Sequence, residues 1–295
     1  MKKDRSIDLS IIIVNFNTRV LLKNCLKSIY KSNLGDKKIQ VLVSDNGSKD
    51  GSIDMVKEYF PKVLMIENNA NLGFSKANNI GINKSFGRYI LLLNSDTLVA
   101  KNTLLGMIKF MEKNKNIGLS TCKLELADGS IDPACHRGFP TPVNAVTYLL
   151  GLENMFPKSR IFSGYHQWYK NLNKPHQIDC PSGAFFLIPR SIIKSVGNLD
   201  EDYFMYGEDI DWAYRIKKSG HEVWFNPNYK VIHLKKKSGR ANVDKVRKRK
   251  TDIMFHTNNK LFYTKNYSNV YHPFVNYLVY LFYDFRLFLV KKVGI

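Results

Sequence analysis

The chain has little with which to build a metal cluster or a cystine scaffold. Its four cysteines, Cys25, Cys122, Cys135 and Cys180, are scattered through 295 residues with no CxxC spacing, which excludes a zinc ribbon or a disulfide-stapled fold and points to a reducing cytosol. The start, MKKDRSIDLS, has two lysines but no apolar stretch before the first strand, so no signal peptide is expected. GxGxxG and GxxxxGK loops are missing, which argues against a dinucleotide fingerprint and a P-loop. No internal repeat is visible. Acids are also in short supply: 25 Asp and Glu against 45 Lys and Arg leave a net charge of +20. That imbalance favours anionic partners such as phosphates, nucleic acid or acidic lipid headgroups.

The basic excess is uneven. Residues 235 to 250 hold nine Lys and Arg and one Asp, a net of +8, with none of the interleaved aromatics that a single-stranded nucleic-acid platform requires. Nucleic acid is therefore not the expected partner, although a basic nucleic-acid-binding protein is the non-enzymatic alternative, and a solvated face is the plain one.

What the chain does have is a hydrophobic content of 44%, enough to bury a large core as one big domain with an appendage. Ser10 to Val14 is a continuous apolar run of the kind found in strands covered on both faces. Thr18 stands where it can cap a helix, in which Leu22, Cys25, Leu26 and Ile29 recur at helical spacing. Strands over Ile39 to Val43, Val63 to Ile66 and Tyr89 to Leu93 then alternate with helices over Ile53 to Tyr59 and Ser75 to Lys84. This grammar predicts an α/β fold with a doubly wound, mostly parallel central sheet. After a helix over Asn102 to Asn114 the pattern loosens, with six prolines from Pro133 to Pro181. This stretch is expected to form a variable acceptor wall. Regularity returns as a strand over Gly183 to Ile188, a helix over Glu208 to Ser219, and short strands over Glu222 to Phe225 and Lys230 to His233.

Three acids sit where elements end, and open α/β sheets bind ligands beyond the carboxyl ends of their strands. Asp96 follows the run YILLL in RYILLLNSDT; it reads either as a ligand for a hard divalent cation or as a cap. Asp45, in VLVSDNGSKDGS, reads as an acceptor for a pyrimidine imide N–H, with Gly47 and Gly51 allowing close backbone approach, or as an Asx turn. Asp209, in FMYGEDIDW, shares a helical face with Trp212, Ala213 and Ile216, which suits a base. Glu208, Asp211 and Arg215 lie on another face, and for Asp211 an intrahelical ion pair is the preferred reading. His233 follows the last strand and could complete the sphere of an Asp96 metal. Amides of Asn71-Leu72-Gly73-Phe74, leading into a helix with Ser75 and Lys76, could hold phosphate, though a turn plus a cap explains the same residues. Trp168 and Trp212 read as core ahead of sugar stacking.

The runs IIIVNFNT, VSDNGSKDGS, NLGFSKANNIGI, GRYILLLNSDT, PSGAFFLIPR and VGNLDEDYFMYGEDIDWAYRIKKSGH, in this order from Ser10 to about Ser238, resemble glycosyltransferase family 2, in particular its rhamnosyltransferase-like branch. The resemblance implies a GT-A fold and an inverting transfer from a nucleotide diphosphate sugar, with dTDP-L-rhamnose favoured and a UDP-hexose or UDP-N-acetylhexosamine as alternatives. It implies a glycan or lipid-linked glycan acceptor in cell-surface polysaccharide synthesis. It makes Asp209, with Glu208, the catalytic pair, and Asp96 with His233 the ligands of Mg²⁺ or Mn²⁺. Nucleotide-sugar contacts are implied for Asn15, Asn17, Asp45, Asn46, Gly73, Phe74, Lys76, Asn78, Asn94, Ser95, Gly183 and Ala184. The family's DXD appears here as Asn94-Ser95-Asp96, so only the last carboxylate survives and metal binding leans on substrate phosphates. That departure also admits a nucleotide-sugar binder without catalysis.

The expected organisation is a glycosyltransferase domain over 1–238, with a nucleotide-sugar half (1–120) and an acceptor half (121–238), then a basic and aromatic helical extension over 239–295. In the extension Phe274, Tyr277, Leu278, Leu281, Phe282, Phe285 and Phe288 form an apolar stripe at helical spacing. With Asn276, Asp284 and Arg286 in the same run, the stripe suits a helix lying on an anionic membrane surface, at the inner face of the cytoplasmic membrane, rather than a span. Packing on the catalytic domain is the other reading, and the oligomeric state is open.

Overall fold

In the computed structural model, which describes residues 7–234 and 245–292, the apolar runs become the centre of one nine-stranded sheet. The strands are β1 (Leu9–Asn15), β2 (Ile39–Asp45), β3 (Leu64–Glu67), β4 (Tyr89–Leu93), β5 (Thr97–Val99), β6 (Ile117–Glu125), β7 (His176–Gln177), β8 (Phe185–Pro189) and β9 (Glu222–His233). Their order is β3-β2-β1-β4-β8-β6-β9-β5, with β7 beside β9. The first half is parallel, β1 pairing with β2 and β4. The second is mixed: β8 runs antiparallel to β4 and β6, and β6 runs parallel to β9. Buried runs such as Ile11-Ile12-Ile13 and Ile90-Leu91-Leu92 have no accessible face, as expected for strands covered on both sides.

The helices are α1 (Arg19–Tyr30), α2 (Ser52–Tyr59), α3 (Phe74–Asn83), α4 (Thr103–Lys113), α5 (Pro142–Leu149), α6 (Leu152–Met155), α7 (Arg190–Val196), α8 (Glu208–Lys218), α9 (Lys245–Asn266) and α10 (Pro273–Lys292). Leu22, Cys25, Leu26 and Ile29 form the buried face of α1, so 3.6-residue periodicity locates that helix and its orientation. Three expectations need correcting. Thr18 does not cap α1 with its side chain; its hydroxyl donates to Asn15 Oδ1 at 2.5 Å and meets Ser95 Oγ at 2.9 Å. The two short strands at 222 to 233 are one strand, whose register against β6 shifts between Cys122 and Lys123. The loosened stretch contains β6, α5 and α6.

The carboxyl ends of β1, β2 and β4 converge, and polar staples lock their turns together. Arg19 N donates to Asp50 at 2.8 Å, Asn17 N donates to Ser48 Oγ at 2.8 Å, and Asn17 Oδ1 accepts from Lys49 N at 2.8 Å. The segment 200–207, which leads into α8, is clamped from both sides. Phe74 N donates to Phe204 O at 2.6 Å, and Asn258 Nδ2 of α9 donates to Met205 O at 2.8 Å. The basic segment expected at 235 to 250 and the boundary expected near 238 fall largely on residues outside those described. Helix α9 itself packs into the common core through Phe262 and Tyr263, joined by Tyr267 just past its end.

Gly73 makes the first clamp possible. Its backbone sits at φ 82 and ψ −177, a region essentially restricted to glycine, and a Cβ there would run into the Phe204 carbonyl. Gly73→Ala should therefore cost about 1–3 kcal/mol in urea-induced unfolding. An unchanged midpoint would mean that the 200–207 segment yields freely.

Candidate active site

Asp45 ends β2 and is fully buried. One oxygen accepts from Ser48 N at 2.7 Å; the other accepts from Asn15 Nδ2 and Ser48 Oγ, both at 2.7 Å. A carboxylate offers about four acceptor positions, so three bonds leave little of it for a base edge. From Asn15 the polar chain continues through the Thr18 hydroxyl to Ser95. Asn15 and Ser95 are thereby committed to linking β1, β2 and the segment after β4. Asn46 is equally engaged: it donates to Gly73 O at 3.0 Å and accepts from Asn68 at 3.0 Å. Asn17 lies at positive φ, 53°, where its side chain can turn back onto the Lys49 amide.

The start of α3 differs from the phosphate-holding arrangement. The amide of Gly73 donates to Asn71 Oδ1 at 3.1 Å, and that of Phe74 is taken by Phe204. Asn78 is spent on the Phe74 carbonyl at 2.9 Å, whereas Lys76 is exposed. The Phe74 ring lies against Gly183, where a Cβ would come within 3.3 Å of it. Gly183 and Ala184 in turn stand beside Asn94-Ser95-Asp96, because β8 pairs with β4 and Asn94 N donates to Ala184 O at 3.2 Å.

Asp96 is buried and meets His233 by strand pairing. The β5–β9 ladder places Thr97 opposite His233, and His233 Nε2 lies 3.4 Å from Asp96 Oδ1. On the other side of the ring Nδ1 is 2.9 Å from Asp132 Oδ2, and Asp132 is oriented by Ala134 N at 3.0 Å. Burial works against charge on this imidazole, but Asp132 and Asp96 outweigh it and lift its pKa to about 9. Asp132 escaped the sequence reading because nothing local marks it; only the fold brings it to His233. Among the described residues no group of three or more His, Cys, Asp and Glu is placed to hold a metal ion. One carboxylate and one imidazole, the latter oriented by an outer carboxylate, fit a cation that takes its remaining oxygens from substrate and water, not an all-protein cage. A cation there would have to displace the proton from His233.

Glu208 and Asp209 open α8 after a strained turn, with Tyr206 at φ 73° and Gly207 at φ 91°. The half-buried Asp209 side chain accepts from Arg137 Nη2 at 2.6 Å. Arg137 is itself almost wholly buried and also donates to Pro181 O at 3.0 Å. Burial disfavours the guanidinium charge, and Asp209 more than compensates, holding Arg137 firmly protonated. Arg137 was missed in the sequence because a lone arginine in a proline-rich stretch looks like a surface cation. Glu208 does not join the ion pair expected on its face; Asp211 and Arg215 do, at 2.7 Å. Glu208 is buried with Oε2 lacking a hydrogen-bond partner, and burial together with neighbouring Asp209 pushes its carboxyl up to about 8. Trp212 is core, stacked on Phe186 and bonded to Gly197 O at 2.9 Å; Trp168 is half-buried and stacks on His136 and His166.

The segment Pro181 to Ala184 joins the two acidic centres. Its first carbonyl holds Arg137, the partner of Asp209, and its last holds Asn94, two residues before Asp96. A cation-compatible pair and a positioned carboxylate therefore share one end of the sheet.

The sequence profile of glycosyl transferase family 2 matches residues 10–197. An N-acetylglucosaminyl-diphospho-decaprenol L-rhamnosyltransferase of Mycobacterium tuberculosis is 25% identical over 240 residues, 77% of this chain and 76% of that protein. Rhamnosyltransferase WbbL of Escherichia coli is 25% identical over 278 residues, 89% of this chain and 99% of that one. Among solved structures, the mannosyltransferase PcManGT of Pyrobaculum calidifontis in complex with GDP-Man and Mn²⁺ superposes with a TM-score of 0.62 at 15% identity, over 98% of this chain and 74% of that chain. S. aureus TarS gives 0.59 at 15% identity over 96% of this chain, which spans only 44% of TarS. The fold is GT-A.

Two outcomes follow from the α8 acids. Glu208 binds its proton more tightly when folded, so its contribution to stability is complete below its ordinary pKa of 4.5 and is lost as pH rises through about 8. Glu208→Gln should flatten that part of the pH–stability curve; a curve parallel to wild type would show that Glu208 titrates normally. Arg137→Met leaves a carboxylate without its buried partner and should cost roughly 3–5 kcal/mol. Adding Asp209→Asn should recover much of that loss, and strict additivity of the two changes would rule out the coupling.

Proposed function

The chain belongs to glycosyl transferase family 2, and from that premise we propose that it moves a sugar with inversion from a nucleotide diphosphate sugar to a glycan acceptor, using Asp209 as base and the Asp96–His233 pair as the cation site. The observation that carries this assignment is the Pro181 to Ala184 segment, whose first carbonyl bonds Arg137, the partner of Asp209, and whose last bonds Asn94, two residues before the Asp96 that meets His233.

The residues of this chain divide the work. A divalent cation held by Asp96 and His233 would neutralise charge growing on the leaving diphosphate; the Mn²⁺ in the PcManGT crystal supports this reading. Asp132 fixes the His233 ring so that Nε2 faces Asp96. Arg137 takes one oxygen of Asp209 and so fixes the direction of the carboxylate. Asp209 then removes the acceptor proton as the hydroxyl attacks the face of the sugar opposite the diphosphate, so that a single displacement inverts the anomeric carbon. Glu208, neutral over most of the working pH range, offers a hydrogen-bond donor beside it. Gly183 and Ala184 keep the floor free of bulky side chains. The two rhamnosyltransferases among the relatives support dTDP-L-rhamnose as donor, and the decaprenol-linked substrate in one of their names supports a lipid-linked glycan acceptor.

A thermal-shift screen of nucleotide sugars with and without Mn²⁺ tests the donor, because selective stabilisation reports binding directly; dTDP-L-rhamnose should give the largest shift. Asp209→Asn should lose at least ~10²–10⁴-fold in turnover while still binding donor. Asp96→Ala should lose stimulation by divalent cations. Near-normal turnover in the first variant, or retained metal stimulation in the second, would remove that residue from its role.

A further inference from the structure

The distal helix α10 has two apolar faces. One packs inward: Val279, Tyr280 and Tyr283 lie against the core, and the polar groups on that side are paired to α9, with Tyr263 OH donating to Asn276 at 2.7 Å and Asn276 Nδ2 donating to Ser268 O at 2.7 Å. The other face is bare. Phe274, Tyr277, Leu281, Phe285 and Phe288 recur along it, each more than half exposed. The helix has the 20-residue length and mean hydropathy, 1.2, of a membrane span, but crossing a bilayer would break the inner-face pairs and bury Asp284, which is paired with Lys260.

A second bare patch, unmarked in the sequence, lies on α5 and α6. Val143, Val146, Leu150 and Met155 are exposed, the last two by 66% and 69%. The ring of Tyr165 lies between α5 and α10. Its ring contacts Tyr148 of α5 at 5.2 Å. It also lies close enough to Tyr283 of α10 to add to the upward push that burial gives the Tyr283 phenol. Arg137, the partner of Asp209, lies beside Tyr165 too. Basic side chains stand at the α10 end of this surface: Lys248, Arg249, Lys250, Lys291 and Lys292 are exposed, with the Arg249 guanidinium on the Lys291 carbonyl.

We propose that the outer face of α10 and the exposed face of α5–α6 form one docking surface for an anionic lipid bilayer, with α10 lying in the interface and not crossing it. Apolar side chains enter the headgroup–acyl boundary while the basic end meets the acidic headgroups. The same basic end disfavours a second copy as the occupant, since two chains of +20 would bring like charges together. The surface adds to the glycosyltransferase reading without depending on it, because partition is measured without donor or turnover.

The test is flotation of the full chain with phosphatidylcholine vesicles, with and without about a third phosphatidylglycerol. Wild type should partition to the anionic vesicles only. Leu281→Glu/Phe285→Glu on α10, and separately Val146→Glu/Leu150→Glu on α5 and its C-terminal flank, should each lower partition by roughly tenfold or more, with unchanged thermal unfolding and unchanged donor-induced stabilisation. Wild-type partition of the α5 variant would overturn the shared surface. Equal flotation with neutral vesicles would overturn the role of the basic end. A dimer in light scattering that both variants abolish, without vesicle binding by wild type, would overturn the bilayer in favour of a second copy.

Discussion

One ion pair organises the catalytic end of this protein. Arg137 is taken out of water with its Nη2 between Asp209 and the Pro181 carbonyl, and a buried guanidinium is tolerated only when its charge is answered. Meeting that demand ties together three stretches far apart in the chain: the turn after β6, the approach to β8 and the first turn of α8. Without the pair, Asp209 would be an acid on a helix end with several rotamers open to it. With it, Oδ2 is held by the guanidinium while Oδ1 accepts from Ile210 N at 2.9 Å. The constraint continues through Pro181 to Ala184 into Asn94, so the position of the base and that of the Asp96 segment are set by the same backbone.

A second polar line runs along the opposite wall, from Asp45 through Asn15 and Thr18 to Ser95. It gives physical meaning to the altered DXD. Ser95 is a link between the β1 turn and the β4 end, a link that a residue lacking a hydroxyl could not make. The missing first carboxylate is balanced elsewhere in the fold: His233, brought in by the β5–β9 ladder and oriented by Asp132, supplies the second donor beside Asp96. A cation at such a site would depend on donor oxygens more than on the protein.

What the sequence disclosed, and what it hid, follows from the range of the forces involved. The β4 run Tyr89–Leu93 and the buried face of α1 are local patterns, apolar on one period, and both stand where periodicity places them. Strand β6 was hidden because its buried positions include Ser120 and Thr121, whose polar side chains break an apolar run although the sheet encloses them. Strand β9 read as two pieces because Asn226, Pro227 and Asn228 look like a turn, yet the chain passes through them as a register shift against β6. Asp45, Asp96, Glu208 and Asp209 were legible as acids at the ends of elements. Asp132 and Arg137 were not, since each acquires its role only from a partner 101 or 72 residues away.

The two α8 acids show how one backbone turn can give adjacent carboxyl groups different chemistry. Tyr206 and Gly207, both at positive φ, turn the chain sharply into the helix, and consecutive helical residues then point about 100° apart. Asp209 emerges towards Arg137, half-buried, where a guanidinium holds one of its oxygens. Glu208 turns into the interior, where burial and the neighbouring Asp209 outweigh the pull of Arg137, so its carboxyl is pushed up to about 8. Asp209, partly exposed and bonded to its counter-charge, is thereby suited to accept a proton, and the buried Glu208 to donate a hydrogen bond. Exchanging their surroundings would exchange their roles, although the residue types, both carboxylic acids, are chemically close; burial and Arg137 make the distinction.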